Sequence, residues 1–278
     1  MNGRFATLVK REFWEHKSLW IAPLVAAGFL VTVSLLGALF APDHVHLGAR
    51  APMRINGNGI GGTTPFGGTP MLMAAMGVAS LVSLVSILAC FTYLLDCLSS
   101  ERKDRSILFW KSLPVSDAHT VLAKFAVAMV CVPLAVFLLQ MVANVLISGI
   151  AVVAAPQLQG IPAGGWHFGD WLDAQAKLLG MMIATLLWYT PVGAWMMLAS
   201  VLARRSPLLA AAVPLVVLAV SENIVLHSHY VWQFLGHRLR PEPDLWRALT
   251  LPELWLGLAA AAGMLYIVIR LRRYRDDT

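Results

Sequence analysis

The residues able to do chemistry in this sequence are few, and their spacing does not assemble a reaction centre. The six lysines, Lys10, Lys17, Lys103, Lys111, Lys124 and Lys177, follow Val, His, Arg, Trp, Ala and Ala. A phosphate-wrapping Walker A loop needs Gly-Lys-Ser/Thr, so the chain carries none. Its largest stretch on the cytoplasmic side is also too short for a nucleotide-binding domain. No histidine precedes a glutamate, which removes the His-Glu-x-x-His metalloprotease signature, and no Gly-x-Ser-x-Gly elbow is present.

Weaker patterns carry less. Asn56-Gly57-Asn58-Gly59-Ile60-Gly61-Gly62 follows no strand pattern and opens no helix, so it reads as a linker rather than a phosphate cradle. His44-x-His46 and His227-x-His229 are isolated pairs, too sparse to build a metal site. Cys90, Cys97 and Cys131 are odd in number and lie in or beside apolar runs, against both a disulfide framework and zinc. The expectation is a chain that is not an enzyme, with no catalytic residue, no metal and no cofactor of its own.

Composition says what the chain must be instead. Of its 278 residues 58% are hydrophobic and only 13% charged, and the mean hydropathy is +0.70. A soluble domain carries about 25% charge. Disorder, collagen, a disulfide scaffold and an ordinary cytosolic enzyme drop out, leaving a polytopic membrane protein.

A bilayer core of about 30 Å takes about 20 apolar residues in a helix. Leu19–Phe40, Met71–Leu95, Phe125–Ala155 and Leu178–Ala203 are uncharged and long enough. Two shorter apolar runs, Ser206–Ser221 and Leu254–Ile269, complete six spans, placed at 19–40, 71–95, 125–155, 178–203, 206–226 and 251–269. The first run exceeds a signal-peptide core and ends on Phe40-Ala41-Pro42-Asp43, a poor cleavage site, so it reads as retained. The fold class is an all-α membrane protein forming a single transmembrane domain over 1–278.

Basic residues give the orientation. With the N-terminus inside, Arg4, Lys10, Arg11, Lys17, Arg102, Lys103, Arg105, Lys111, Lys124, Arg204, Arg205, Arg270, Arg272, Arg273 and Arg275 fall on the inner side. Arg50, Arg54, Lys177, Arg238, Arg240 and Arg247 fall outside. The net charge of +6 is therefore a topology signal and not a nucleic-acid footprint.

Three segments outside the spans position what remains. In residues 1–18, Phe5, Leu8, Val9 and Phe13 recur at helical spacing opposite Arg4, Thr7, Arg11, Glu15 and Ser18, which predicts an amphipathic helix on the inner membrane surface. Glu12 falls inside its apolar arc, either as an exposed contact to His16 or as a fixed ion-pair partner for the next inner loop. That loop, Asp96–Lys124, holds Glu101-Arg102-Lys103-Asp104-Arg105, then Ile107-Leu108-Phe109-Trp110 and Leu113-Pro114, with Ser116-Asp117 placed to cap the next helix. It reads either as a solvated positive-inside loop or as a compact helical elbow over 99–114. Exposed Phe and Trp beside alternating charges favour a protein contact. Residues 227–250 mix Tyr230, Trp232, Phe234 and Trp246 with His, Arg and Pro, as expected of short outer helices at headgroup level.

Inside the spans the sequence offers little for ion coupling. Glu222, beside Asn223 at the outer end of span five, is either an interfacial carboxylate or a gate. Pro133, Pro191 and Pro214 permit kinks. Ala79, Ser83, Ser86 and Cys90 form a small, mildly polar stripe suited either to close helix packing or to lining a translocation path.

Glu101-Arg102-x-x-Arg105-Ser106, followed by Leu113-Pro114-Val115-Ser116 and Lys124, resembles the coupling segment of the transmembrane subunits of type-two ATP-binding-cassette exporters of bacteria. Lys10-Arg11-Glu12-Phe13-Trp14 is similar to the family's interfacial connecting helix. Many relatives carry glycine shortly after the Glu-Arg pair, where this chain has Asp104-Arg105. The resemblance implies that the elbow is a coupling helix seated in a separate ATPase subunit, two copies per complex, which binds ATP and magnesium. On that reading Glu101, Arg102, Asp104 and Arg105 make its polar contacts and Leu108, Phe109 and Trp110 its apolar ones, with Arg11 and Glu12 bracing the elbow. A second permease copy, identical or a similar paralogue, completes the pathway in the inner membrane, with both termini cytoplasmic. A non-transporting scaffold or maturation factor of the same layout, and a secondary carrier, are the competing readings.

Overall fold

The computed structural model describes residues 2–40, 70–103, 116–154, 168–203 and 206–274. These residues form helices and contain no strand: α1 (Asn2–Glu15), α2 (Ser18–Phe40), α3 (Pro70–Asp96), α4 (Ser99–Lys103) and α5 (Asp117–Ala126). A π-helical turn (Val127–Cys131) then leads into α6 (Val132–Ala154), followed by α7 (Phe168–Leu202), α8 (Pro207–Leu226), α9 (Tyr230–Arg238), α10 (Leu245–Thr250) and α11 (Pro252–Tyr274). Six helical stretches are long and apolar enough to cross a membrane: Ser18–Phe40, Met76–Arg102, Asp117–Ile150, Phe168–Leu202, Pro207–Leu226 and Pro252–Arg273. By length and composition the chain is a multi-pass membrane protein.

The second span runs over Met76–Arg102 rather than 71–95, and three further boundaries differ from the sequence reading for one physical reason. Charged residues were taken as ends, yet a charge that finds a partner need not end a helix. The third span begins at Asp117 rather than 125, because Ser116 caps α5 by accepting from the His119 amide and Lys124 is neutralised within the protein. The fourth begins at Phe168 rather than 178, carrying Lys177 one turn from its ion-pair partner Asp173 at 2.7 Å. The sixth runs on through Arg270, Arg272 and Arg273.

Pro133 explains the π turn. Its ring removes an amide donor and crowds the preceding turn, and the helix widens just before it, so that the Val132 amide reaches back to the Val127 carbonyl. Pro191 and Pro214 sit inside α7 and α8 without interrupting either helix.

The contacts divide the chain into two compact units. In the unit made of residues 20–86 and 134–179, α3 and α6 are joined through the small-residue stripe. The Gln140 Nε2 donates to Ser83 Oγ at 2.8 Å and to the Ala79 carbonyl at 3.3 Å. Small side chains there let a polar group reach its partner inside an apolar bundle.

The unit made of residues 1–19, 87–133 and 180–278 holds α1, α4, α5, the π turn, α8 to α11 and the C-terminal parts of α3 and α7. Here α1 lies against α5 and the π turn, and α11 against α5. The apolar arc of α1 is thus half-covered by protein, where the sequence reading had it lying on the membrane. In the same unit α9 and α10 are fixed to α7 around Trp188, which is 1% exposed and packs with Ala184, Ala248 and Leu254. The Trp188 indole donates to the Arg238 carbonyl at 2.9 Å, and the Arg238 guanidinium lies over the same ring at 4.7 Å. Gly257 leaves room for that guanidinium, since a Cβ there would collide with it. Burial pushes Arg238 below its ordinary pKa.

Candidate functional site

A cluster of buried charges ties together both flanks of the elbow. Glu12 on α1 and Lys124 on α5 are each 2% exposed, and the Lys124 ammonium donates to both Glu12 oxygens at 2.9 Å. Lys124 also faces Glu101 on α4 at 3.1 Å. Glu101 in turn pairs with Arg272 on α11 at 3.0 Å, and Arg272 reaches Asp117 at the start of α5 at 3.4 Å. The Tyr93 hydroxyl, from the end of α3, donates to Glu12 at 3.1 Å. Arg11 closes the edge, pairing with Glu12 at 3.2 Å and Glu15 at 3.1 Å. Two interior carboxylates (Glu12, Glu101) therefore meet Lys124 and Arg272 inside, with Asp117 and Arg11 half-buried at the rim.

Local sequence brings these groups together. Glu12 is on the arc that α1 turns toward α5, where a carboxylate is tolerated only with a cation opposite it. A buried charge needs both pairing and hydrogen bonds to offset desolvation, and Lys124 and the Tyr93 hydroxyl supply them for Glu12. Of the two readings of Glu12, the ion pair across to the end of the following loop is the geometry present, with His16 a secondary neighbour at 3.8 Å.

The break between α3 and α4 is tied to α7. The Ser200 hydroxyl accepts from the Leu98 and Ser99 amides at 3.2 and 3.1 Å. Arg102 donates to the Ser200 and Ala203 carbonyls at 2.5 and 3.0 Å, the favourable place for a cation at a helix C-terminus.

The predicted site residues thus separate. Glu101 is 8% exposed and turned into the cluster, where it pairs with Lys124 and Arg272. Arg102 holds the end of α7. Asp104, Arg105, Leu108, Phe109 and Trp110 lie outside the described residues, as does the His44–His46 pair. Glu222 accepts through its carboxylate oxygens from the Ser228 hydroxyl at 2.7 Å and the Tyr230 and Val231 amides at 2.7 and 2.8 Å. It caps α9, just beyond His227, whose φ of 49° ends α8 in the left-handed region. These bonds make a corner that orients the outer helices. Asn223 beside it is exposed.

Sequence reasoning missed Tyr93, Asp117, Ser200 and Arg272 as partners in this region. It also missed Asn144 and Gln175, which are 4% and 3% exposed in the unit of residues 20–86 and 134–179. The Asn144 Nδ2 and both Gln175 amide atoms find no hydrogen-bond partner among the described residues.

His16 supplies a pH dependence at the edge of the cluster. Its ring meets Tyr93 edge-on at 4.8 Å between centroids. Burial lowers its pKa from 6.5, outweighing the opposing pull of Glu12. The unfolded chain then binds the proton more readily than the folded one. The neutral-histidine contribution to stability is full above about pH 6.5 and fades as pH falls through the lowered folded value. Thermal unfolding of purified protein between pH 5 and about 7 should show this loss, and His16→Gln should flatten the slope. An unchanged slope in that variant would place the dependence elsewhere.

Comparisons with protein-family models, curated proteins and solved structures found no match for this chain.

Proposed function

We propose that the chain is the permease subunit of a type-two ATP-binding-cassette exporter in a bacterial inner membrane, with both termini cytoplasmic. It works with a second permease copy and two separate ATPase subunits, which bind ATP and magnesium and do the hydrolysis. The reading is supported above all by one observation: the two flanks of the 104–115 segment, Glu101 before it and Asp117 and Lys124 after it, belong to a single buried charge cluster with α1 and α11.

A lever must be stiff where it enters the body it moves. A segment whose two feet share one cluster cannot be displaced without displacing α1, α5 and α11, because each ion pair would leave a buried charge uncompensated. ATP-driven closure of the partner would push on Leu108, Phe109 and Trp110, with Asp104 and Arg105 as polar contacts. Glu101 and Arg102 then act inside the chain as positioning residues. The permease binds no nucleotide and performs no covalent step. Asn144 and Gln175 supply polar groups in the apolar interior that a moving pathway could present to cargo.

The experiment is reconstitution of the full chain in vesicles with the ATPase subunit isolated alongside it. ATP-dependent movement of cargo is expected, with cargo-stimulated hydrolysis weakened by Phe109→Ala with Trp110→Ala. Hydrolysis without any transport would favour a scaffold. Transport that persists without ATP and collapses with an ion gradient would favour a secondary carrier.

A further inference from the structure

Helix α1 is held to the protein by one face, and its other face is left with a definite chemistry. Lys10 and Trp14 each stand two residues from Glu12, about 200° round the helix axis, so they lie opposite the side buried against α5. Trp14 is 64% exposed, and Lys10 and Lys17 are exposed. Lys17 follows the end of α1 and directly precedes Ser18, the first residue of the first membrane-crossing helix.

That continuity sets the depth. If α2 crosses the bilayer, Lys17 sits one residue, and Trp14 four, from the point where the chain enters hydrocarbon. An indole uncovered by protein at that level matches the interfacial belt, where its apolar body and polar edge are both accommodated. The flanking ammonium groups decide which headgroup meets it. The nearby acids are engaged elsewhere: Glu12 with Lys124, and Glu15 with Arg11. Among the described residues Lys10 and Lys17 form no ion pair, so their charge faces outward.

We infer that the Lys10–Trp14–Lys17 face of α1 is a docking surface for the phosphate headgroups of acidic phospholipid. It depends on α2 crossing the bilayer and not on the exporter reading. Each lysine near an anionic surface favours it about five-fold, so two produce a preference large enough to measure.

The test uses the full chain in phosphatidylcholine vesicles that contain a minority of either brominated phosphatidylglycerol or brominated phosphatidylcholine, with the bromines close to the headgroup. The chain has 10 tryptophans, so the Trp14 signal is the emission lost on Trp14→Phe, a replacement at an exposed position. The expected result is stronger quenching of that signal by the brominated acidic lipid, with the preference removed by Lys10→Gln with Lys17→Gln. Native mass spectrometry of lipid retained by the wild type and the lysine variant gives a second readout, with fewer acidic lipids expected on the variant. Equal quenching by the two lipids would overturn the inference. So would no quenching by either, which would place Trp14 against water or another protein, or a preference that survives the loss of both lysines.

Discussion

Replacing Lys124 with methionine should destabilise the protein by about 3–5 kcal/mol, the cost typical of leaving one side of a buried ion pair uncompensated. Glu12 and Glu101 would then lie in the interior without the ammonium that both now face. The thermal midpoint of the purified protein should fall steeply. Adding Glu12→Gln to Lys124→Met should recover part of the loss, since removing both charges is far cheaper than removing one. Glu12→Gln alone should also destabilise, leaving Lys124 with Glu101 as its remaining carboxylate. A Lys124→Met protein as stable as the wild type, or a double variant worse than the sum of its singles, would mean that these groups do not function as a charged pair.

The second large effect is expected far along the sequence, at Trp188. Truncation to alanine removes a fully buried ring from the cluster with Ala184, Ala248 and Leu254 and should cost about 3–5 kcal/mol locally. It also removes the donor to the Arg238 carbonyl and the surface beneath the Arg238 guanidinium. The consequence should be local, with amide exchange in α9 and α10 faster by about a hundred-fold to a few thousand-fold while α5 and α1 keep their protection. Trp188→Phe keeps most of the apolar volume and loses the indole N–H, so its effect should be clearly smaller. Uniform acceleration across the chain would show instead that these outer helices unfold together with the rest.

The six spans were legible because uncharged runs of bilayer length have few alternatives. Their ends were less so. Hydropathy treats Lys124, Lys177 and Arg272 as punctuation, while the fold keeps each inside a helix by giving it a carboxylate. Glu12 was visible as an anomaly, a carboxylate on an apolar arc, and its partner lay in the loop that the sequence marked as charged. Arg272 could not be assigned to Glu101 and Asp117 from spacing, because more than 150 residues separate them and only tertiary packing brings them together.

Glu222 was visible for its charge at the end of a span, but its partners were not. Its cap reaches six to nine residues ahead across the His227 turn, a longer span than the local capping patterns that sequence reveals. Asn144 disappeared into a run scored by average hydropathy, and Gln175 fell just before the fourth span as hydropathy bounds it. Trp188 looked like any aromatic residue within a span, since nothing local announces which ring a later helix will close upon.

The most direct measurement is a photo-crosslink from Trp110, replaced by a photoreactive amino acid in the full chain and activated in the native membrane. The account predicts an adduct with a nucleotide-hydrolysing subunit, formed from the cytoplasmic side and enhanced or weakened by nucleotide. An adduct with lipid alone, or labelling of this position from the opposite face of the membrane, would contradict it.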